Sequence, residues 1–124
     1  MLTKTVTICL LLVGIINFLP VMGLFSAERM SALYGISIHD SNLAILMKHR
    51  ALLFGLIGGF ILIAAFVPAL QLSAFILSFL SMAGFILIAW TTGDYNPLIR
   101  KVLWVDAVAL VAWAIGFGAF LKQT

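Results

Sequence analysis

Leu46-Met-Lys-His-Arg-Ala-Leu-Leu-Phe-Gly-Leu-Ile-Gly-Gly-Phe60 runs three consecutive basic side chains directly into an apolar segment that does not end before Val67. A hydrocarbon core of roughly 30 Å is crossed by about 20 apolar residues in a helix. Four such runs, at about 5–24, 43–67, 72–90 and 99–121, take up most of the 124-residue chain. Transmembrane β-barrels would instead alternate apolar and polar positions in segments of roughly ten residues, and these runs are apolar all round. The expectation is an all-α integral membrane protein: an antiparallel four-helix bundle, one domain over residues 1–124, with helices at about 5–24, 43–67, 72–90 and 97–121.

Composition excludes several function classes. With 65% hydrophobic and 9% charged residues and a mean hydropathy of +1.26, there is no room for a separate soluble domain. The longest polar connection, 25–42, itself carries Leu33, Tyr34, Ile36 and Ile38. A net charge of +3 is too small and dispersed for nucleic acid, so membrane phospholipid is the expected anionic neighbour. The lone Cys9 rules out an internal disulfide and a two-thiol relay and is expected to be a small buried or lipid-facing filler. The first apolar run imitates a secretory signal, but it is near 20 residues, against about 7–15 for a signal core, and carries Asn17 and Pro20. A retained helix is expected. No Asn-x-Ser/Thr site is present, and a bacterial inner membrane fits.

Local signals place the helix ends. Pro20 kinks or ends the first helix. Asp40 or Ser41 caps the second, and Asn96 with Pro97 at the first helical position starts the fourth. The second helix is longer than a bilayer requires, so Lys48, His49 and Arg50 fall in the headgroup region. Farther in, Ala51, Gly55 and Gly59 have the small-xxx-small spacing of a close helix contact, with Lys48 within about 20° of Gly55 around the helix. Ala112 with Gly116, and Ala114 with Gly118, repeat that spacing on the fourth helix. Val67-Pro-Ala-Leu-Gln71 permits only a tight hairpin, which makes the second and third helices neighbours.

The charges are uneven. One end of the bundle collects Arg29, Lys48, Arg50, Arg100 and Lys101 against Glu28, Asp40, Asp94 and Asp106, with His39 and His49, while the other has Lys4 and Lys122. One explanation is an interfacial ion-pair network that orients the helices. The other is a binding site, and Asp106 is its main support, because it lies nearly three turns inside the fourth helix, where an acid usually faces a bundle interior or a wet cavity. Lys48, Arg50, Arg100 and Lys101 also sit near helix N-termini, whose dipoles already favour anions. The candidate site residues are therefore Lys48, His49, Arg50, Arg100 and Asp106, between the second and fourth helices under the 25–42 connection.

Other chemistries are weaker. His39 and His49 lack further ligands at a zinc spacing, and His39 lies in a connection, away from the depth haem would need. Ser73, Ser78 and Ser81 are expected to bond neighbouring helices. No catalytic residue, metal or cofactor is implied. Trp90, Trp104 and Tyr95 are expected as interfacial anchors, and Trp113 as packed core or lipid-facing. Positive-inside counting places the first and third connections in the cytoplasm, while Lys4 argues the other way.

Leu33-Tyr-Gly35, Asp40-Ser-Asn-Leu-Ala44, Leu46-Met-Lys-His-Arg-Ala-Leu-Leu-Phe-Gly55 and Val67-Pro-Ala-Leu-Gln71 together resemble a family of uncharacterised small bacterial four-helix membrane proteins, and the likeness covers most of the chain. Members are often labelled phosphopantetheine adenylyltransferase. That soluble enzyme uses a His-x-Gly-His motif, which neither His39-Asp-Ser-Asn nor His49-Arg-Ala-Leu matches, so the activity is not carried over. A more distant similarity to DoxX-like proteins implies an accessory role in membrane redox systems. Small multidrug transporters share the size, but their coupling carboxylate lies in the first helix, and here that helix has no acid. The leading expectation is a non-enzymatic protein that binds a small or lipid-like anionic ligand. Two alternatives stand beside it: an accessory subunit docking a membrane-protein partner or a second copy, and an enzyme acting on a lipid or quinone.

Overall fold

The computed structural model describes residues 2–24 and 40–123. Glu28, Arg29 and His39, and with them most of the connection expected to cover the site, lie outside the described residues.

Four long helices form. α1 spans Leu2–Phe18 and passes into a 3-10 turn, Leu19–Leu24. α2 spans Ser41–Ala64, α3 Gln71–Thr92 after a short 3-10 turn at Pro68–Leu70, and α4 Pro97–Gln123. The α-helical part of α1 stops two residues before Pro20, whose ring and missing N–H disrupt the regular ladder. Asp40 caps α2, its carboxylate accepting from the Asn42 N–H at 3.1 Å. Asn96 does the same for α4, its side-chain oxygen accepting from the Ile99 N–H at 2.8 Å. α3 ends on Gly93 at φ 72° and Asp94 at φ 52°, a left-handed pair that glycine adopts freely and aspartate tolerates. That reversal turns the chain into α4 within four residues.

Each helix is long and apolar enough to cross a bilayer, and the four pack antiparallel. α2, at 24 residues, rises about 36 Å against a core of roughly 30 Å. The protein is a multi-pass membrane protein. Its first and last helix ends meet, the Gln123 side-chain amide donating to the Thr3 hydroxyl at 3.0 Å.

The cross-section is a rhombus. α1 packs most extensively, against α2 on one side and α4 on the other, and α4 also packs on α3. α1 and α3 touch across the short diagonal, while α2 and α4 face each other across the long one. The hairpin partners α2 and α3 are neighbours as expected, but theirs is the loosest edge. The α3–α4 edge is aromatic. Phe75 meets Phe117 and Phe120 at ring separations of 5.4 Å, and Trp113 stacks on Phe117 at 4.8 Å. Trp113 also donates its indole N–H to the Phe75 carbonyl at 2.8 Å, so it belongs to the packed core. Trp90 and Trp104 are exposed, and Cys9 is buried.

Small residues set the α1 contacts, although not along the expected seam. A Cβ on Gly58 would lie 2.6 Å from the Phe18 backbone nitrogen. One on Gly55 would meet Val21 at 2.7 Å, and one on Gly59 would meet nothing within 4 Å. The Gly55/Gly59 seam is thus corrected to Gly55/Gly58, continuing through Ile61 and Leu62, which abut Gly14, to Ala65, whose carbonyl accepts from Thr7 at 3.1 Å. Steps of three and four alternate along this row. That average of about 3.5 residues keeps one stripe on a nearly antiparallel neighbour, whereas strict four-residue steps drift off it. On α4 the close position is Gly116, where a Cβ would meet Cys9 Cβ at 2.6 Å, and Gly118 has open space.

Gly58→Ala must push the α2 and α1 backbones apart, with an overpacking cost of about 1–3 kcal/mol. Gly59→Ala should be neutral or stabilising, by up to about 1 kcal/mol from helix propensity. Unfolding by denaturing detergent titrated into mild micelles reads both, and equal destabilisation of the two variants would refute the seam.

Candidate functional site

α1 leaves its α-helical path at Phe18, whereas α2 and α4 run on past that level to their own N-termini. A cavity of about 340 Å³, within the range of small-molecule pockets, lies beside the end of α1 and the 3-10 turn that follows it. Arg50 and Phe54 wall it from α2, Lys101 and Asp106 from α4, Asn17 and Pro20 from the end of α1, and Phe85 from α3. Most of the remaining lining is aliphatic.

Two helical registers bring the charges together. Arg50 lies nine residues past Ser41 and Asp106 nine past Pro97, so each is about 13 Å along its helix. Ala51, next to Arg50, packs against Ile99 and Val102 of α4, so the Arg50 backbone stands nearer the helix N-termini than Asp106 does, and its long side chain reaches inward along Phe54 to the cavity that Asp106 also lines. Their opposite charges attract. On α4 the wall is built by Leu98, Lys101, Val102, Val105 and Asp106, which is the i, i+3, i+4, i+7, i+8 set of one helix face.

The Arg50 guanidinium is held by aromatic rings. It lies 4.7 Å from the Phe54 ring centre and 5.5 Å from that of Phe85. Cation–π attraction of this kind contributes about 0.5–2 kcal/mol, more as the group is desolvated. The arrangement keeps a charge in an apolar surround while aiming it at the cavity.

Asn17 forms the polar floor. It is 3% exposed, donates its amide to the Val13 carbonyl at 2.9 Å and accepts from the Ser81 hydroxyl at 2.8 Å. The second bond ties α1 to α3 across the short diagonal. Interhelical hydrogen bonds of this type contribute about 0.6 kcal/mol on average in a membrane protein. They matter here because they hold the cavity floor at a defined place.

Of the five residues chosen from sequence, Arg50 and Asp106 line the cavity. Lys48 and His49 are exposed, since consecutive residues fan out by about 100° each around a helix. Arg100 lies on a separate groove with Trp90, Tyr95 and Trp104, its guanidinium 5.9 Å from the Tyr95 ring. The neighbouring Lys101, itself exposed, lines the cavity instead. Asn17 and the Phe54/Phe85 pair were not among the chosen residues. Asn17 carried a signal, as an isolated amide in an apolar run just before a proline. Phe54 and Phe85 carried none, because an aromatic residue in a transmembrane segment is ordinary.

The site thus combines two cations, one carboxylate and a satisfied amide with apolar walls, an arrangement suited to holding a charged head beside hydrocarbon. Among known proteins, the chain matches no family model, and no curated protein or solved structure matches it. What carries through from the sequence resemblance is the coarse architecture of a small four-helix membrane protein.

Proposed function

We propose that the protein binds a small or lipid-like anionic ligand in the cavity between α2 and α4. The observation that supports this is the charge of the wall, where two cations, Arg50 and Lys101, stand against one carboxylate, Asp106, among otherwise largely apolar lining residues. Charges beside hydrocarbon are costly and mark ligand or ion sites more often than lipid-facing positions do. Arg50 and Lys101 bind the anionic head, Asp106 offsets part of their charge, and Phe54 and Phe85 orient the guanidinium.

The second part of the proposal is orientation in a bacterial inner membrane. Lys48, Arg50, Arg100 and Lys101 lie at the cavity end and Lys4 and Lys122 at the other, so the positive-inside bias puts the cavity end toward the cytoplasm.

Native mass spectrometry of the protein released with its surrounding lipid tests the ligand. Wild type should carry a discrete adduct that Arg50→Gln and Lys101→Gln each lose, because a charge-assisted hydrogen bond contributes about 1.5–3 kcal/mol, roughly 10- to 150-fold in affinity. Lys48→Gln should retain it. Asp106→Asn removes a like charge and should retain or strengthen it. Loss with Asp106→Asn and retention with Arg50→Gln would identify a cationic ligand and refute the proposal, and a co-extracted polypeptide in place of the adduct would favour an accessory-subunit role.

For orientation, Thr92→Cys and Gln123→Cys place single thiols at opposite ends, Cys9 being buried. A membrane-impermeant maleimide applied to intact spheroplasts should label Gln123→Cys and spare Thr92→Cys. The reverse pattern would invert the proposed topology.

A further inference from the structure

Arg50 has a second side. Between α2 and α3, the loosest edge of the bundle, a cleft of about 400 Å³ runs past Leu53, Ile57, Leu80, Gly84 and Ile88. Arg50, Phe54 and Phe85 line both this cleft and the polar cavity. The guanidinium and its two rings therefore form the partition between a charged chamber and an apolar, lipid-facing channel. The channel continues along the same edge, since Leu77 and Leu80 also line the next groove, with Phe60, Ser73 and Ile76.

We infer that the α2–α3 cleft holds the hydrocarbon tail of a single-chain anionic amphiphile whose head sits on Arg50 and Lys101, and that this ligand enters sideways from the bilayer. The inference rests on the cavity reading above and adds the ligand's class and its route. Three observations carry it. The cleft and cavity adjoin at Arg50, Phe54 and Phe85, so a head on the cavity side of the guanidinium leaves its tail within reach of the cleft. Their characters are complementary to an amphiphile, with a net positive wall on one side of Arg50 and aliphatic side chains on the other. The length suits one chain: Leu77 and Ile88, both lining the cleft, lie eleven residues apart on α3, about 16 Å along the axis.

Lateral entry also avoids an energetic obstacle. Lipid tails are as apolar as leucine, so moving a tail from bilayer to cleft changes its solvation little. Extracting the same tail through water would cost about 0.8 kcal/mol per methylene. The head travels at the depth of Arg50, near one membrane face, and need not cross the hydrocarbon.

The test uses dodecyl phosphate and butyl phosphate, titrated into the protein in zwitterionic phosphatidylcholine nanodiscs and read by native mass spectrometry. Gly84 lines the cleft and has nothing within 4 Å of an added Cβ, so Gly84→Phe fills the channel without a backbone clash. Ile88→Trp obstructs it from a second position. Gly118, equally open but on α4, supplies the control Gly118→Phe. Gly84→Phe and Ile88→Trp should each weaken dodecyl phosphate about tenfold or more while leaving butyl phosphate within about twofold, and Gly118→Phe should change neither. If the cleft variants leave dodecyl phosphate unchanged while Arg50→Gln weakens both probes, the tail lies elsewhere and only the cavity reading stands. Arg50→Gln without effect on either probe overturns both. A wild-type dimer that Gly84→Phe converts to monomer would assign the cleft to a second copy and overturn the inference.

Discussion

The backbone contact of Gly58 with Phe18 sets the geometry on which the rest depends. Only the absence of a side chain at Gly58 lets α2 approach the last residue of α1 so closely, and that approach fixes the depth of α2 relative to the point where α1 leaves its regular path. Arg50 lies eight residues toward the N-terminus of α2 from Gly58, about 12 Å farther along the axis. It therefore stands beyond the α-helical end of α1.

The bundle is uneven in how tightly its edges are sealed, and the unevenness follows its chemistry. The α1 edges are closed by glycine and alanine against β-branched and aliphatic side chains, and the α3–α4 edge by stacked aromatics. The α2–α3 edge has Gly84 facing open space and bulky side chains turned outward. In lipid there is no hydrophobic drive to close such an edge, because exposed leucine and lipid tails are equivalent. A seam that would collapse in water can stay open in a bilayer and serve as a route.

Polar groups are handled by two different means. Asn17, Ser81, Thr7 and Gln71 are satisfied by hydrogen bonds to side chains or carbonyls of the helices and their connections, which removes the penalty of burying them. Arg50, Lys101 and Asp106 instead line a cavity, where Arg50 is stabilised by the opposite charge of Asp106 and by the faces of Phe54 and Phe85. The first group positions helices, and the second defines a chamber.

Much of this was determined by sequence alone. Run length and composition require four apolar helices, and Asp40, Asn96, Pro20 and the 67–71 hairpin place their ends within a few residues, because capping and proline act over one turn. Spacing also marked Arg50 and Asp106, since an acid nearly three turns into an apolar helix demands an explanation. The tertiary structure decided what one-dimensional spacing leaves open. Consecutive charges such as Lys48, His49 and Arg50, or Arg100 and Lys101, point in different directions around a helix, and which of them faces inward depends on where the neighbouring helices lie. The same holds for the glycines: Gly55, Gly58 and Gly59 are equivalent as letters, and only the crossing of α1 over α2 made Gly58 a contact and left Gly59 outside it.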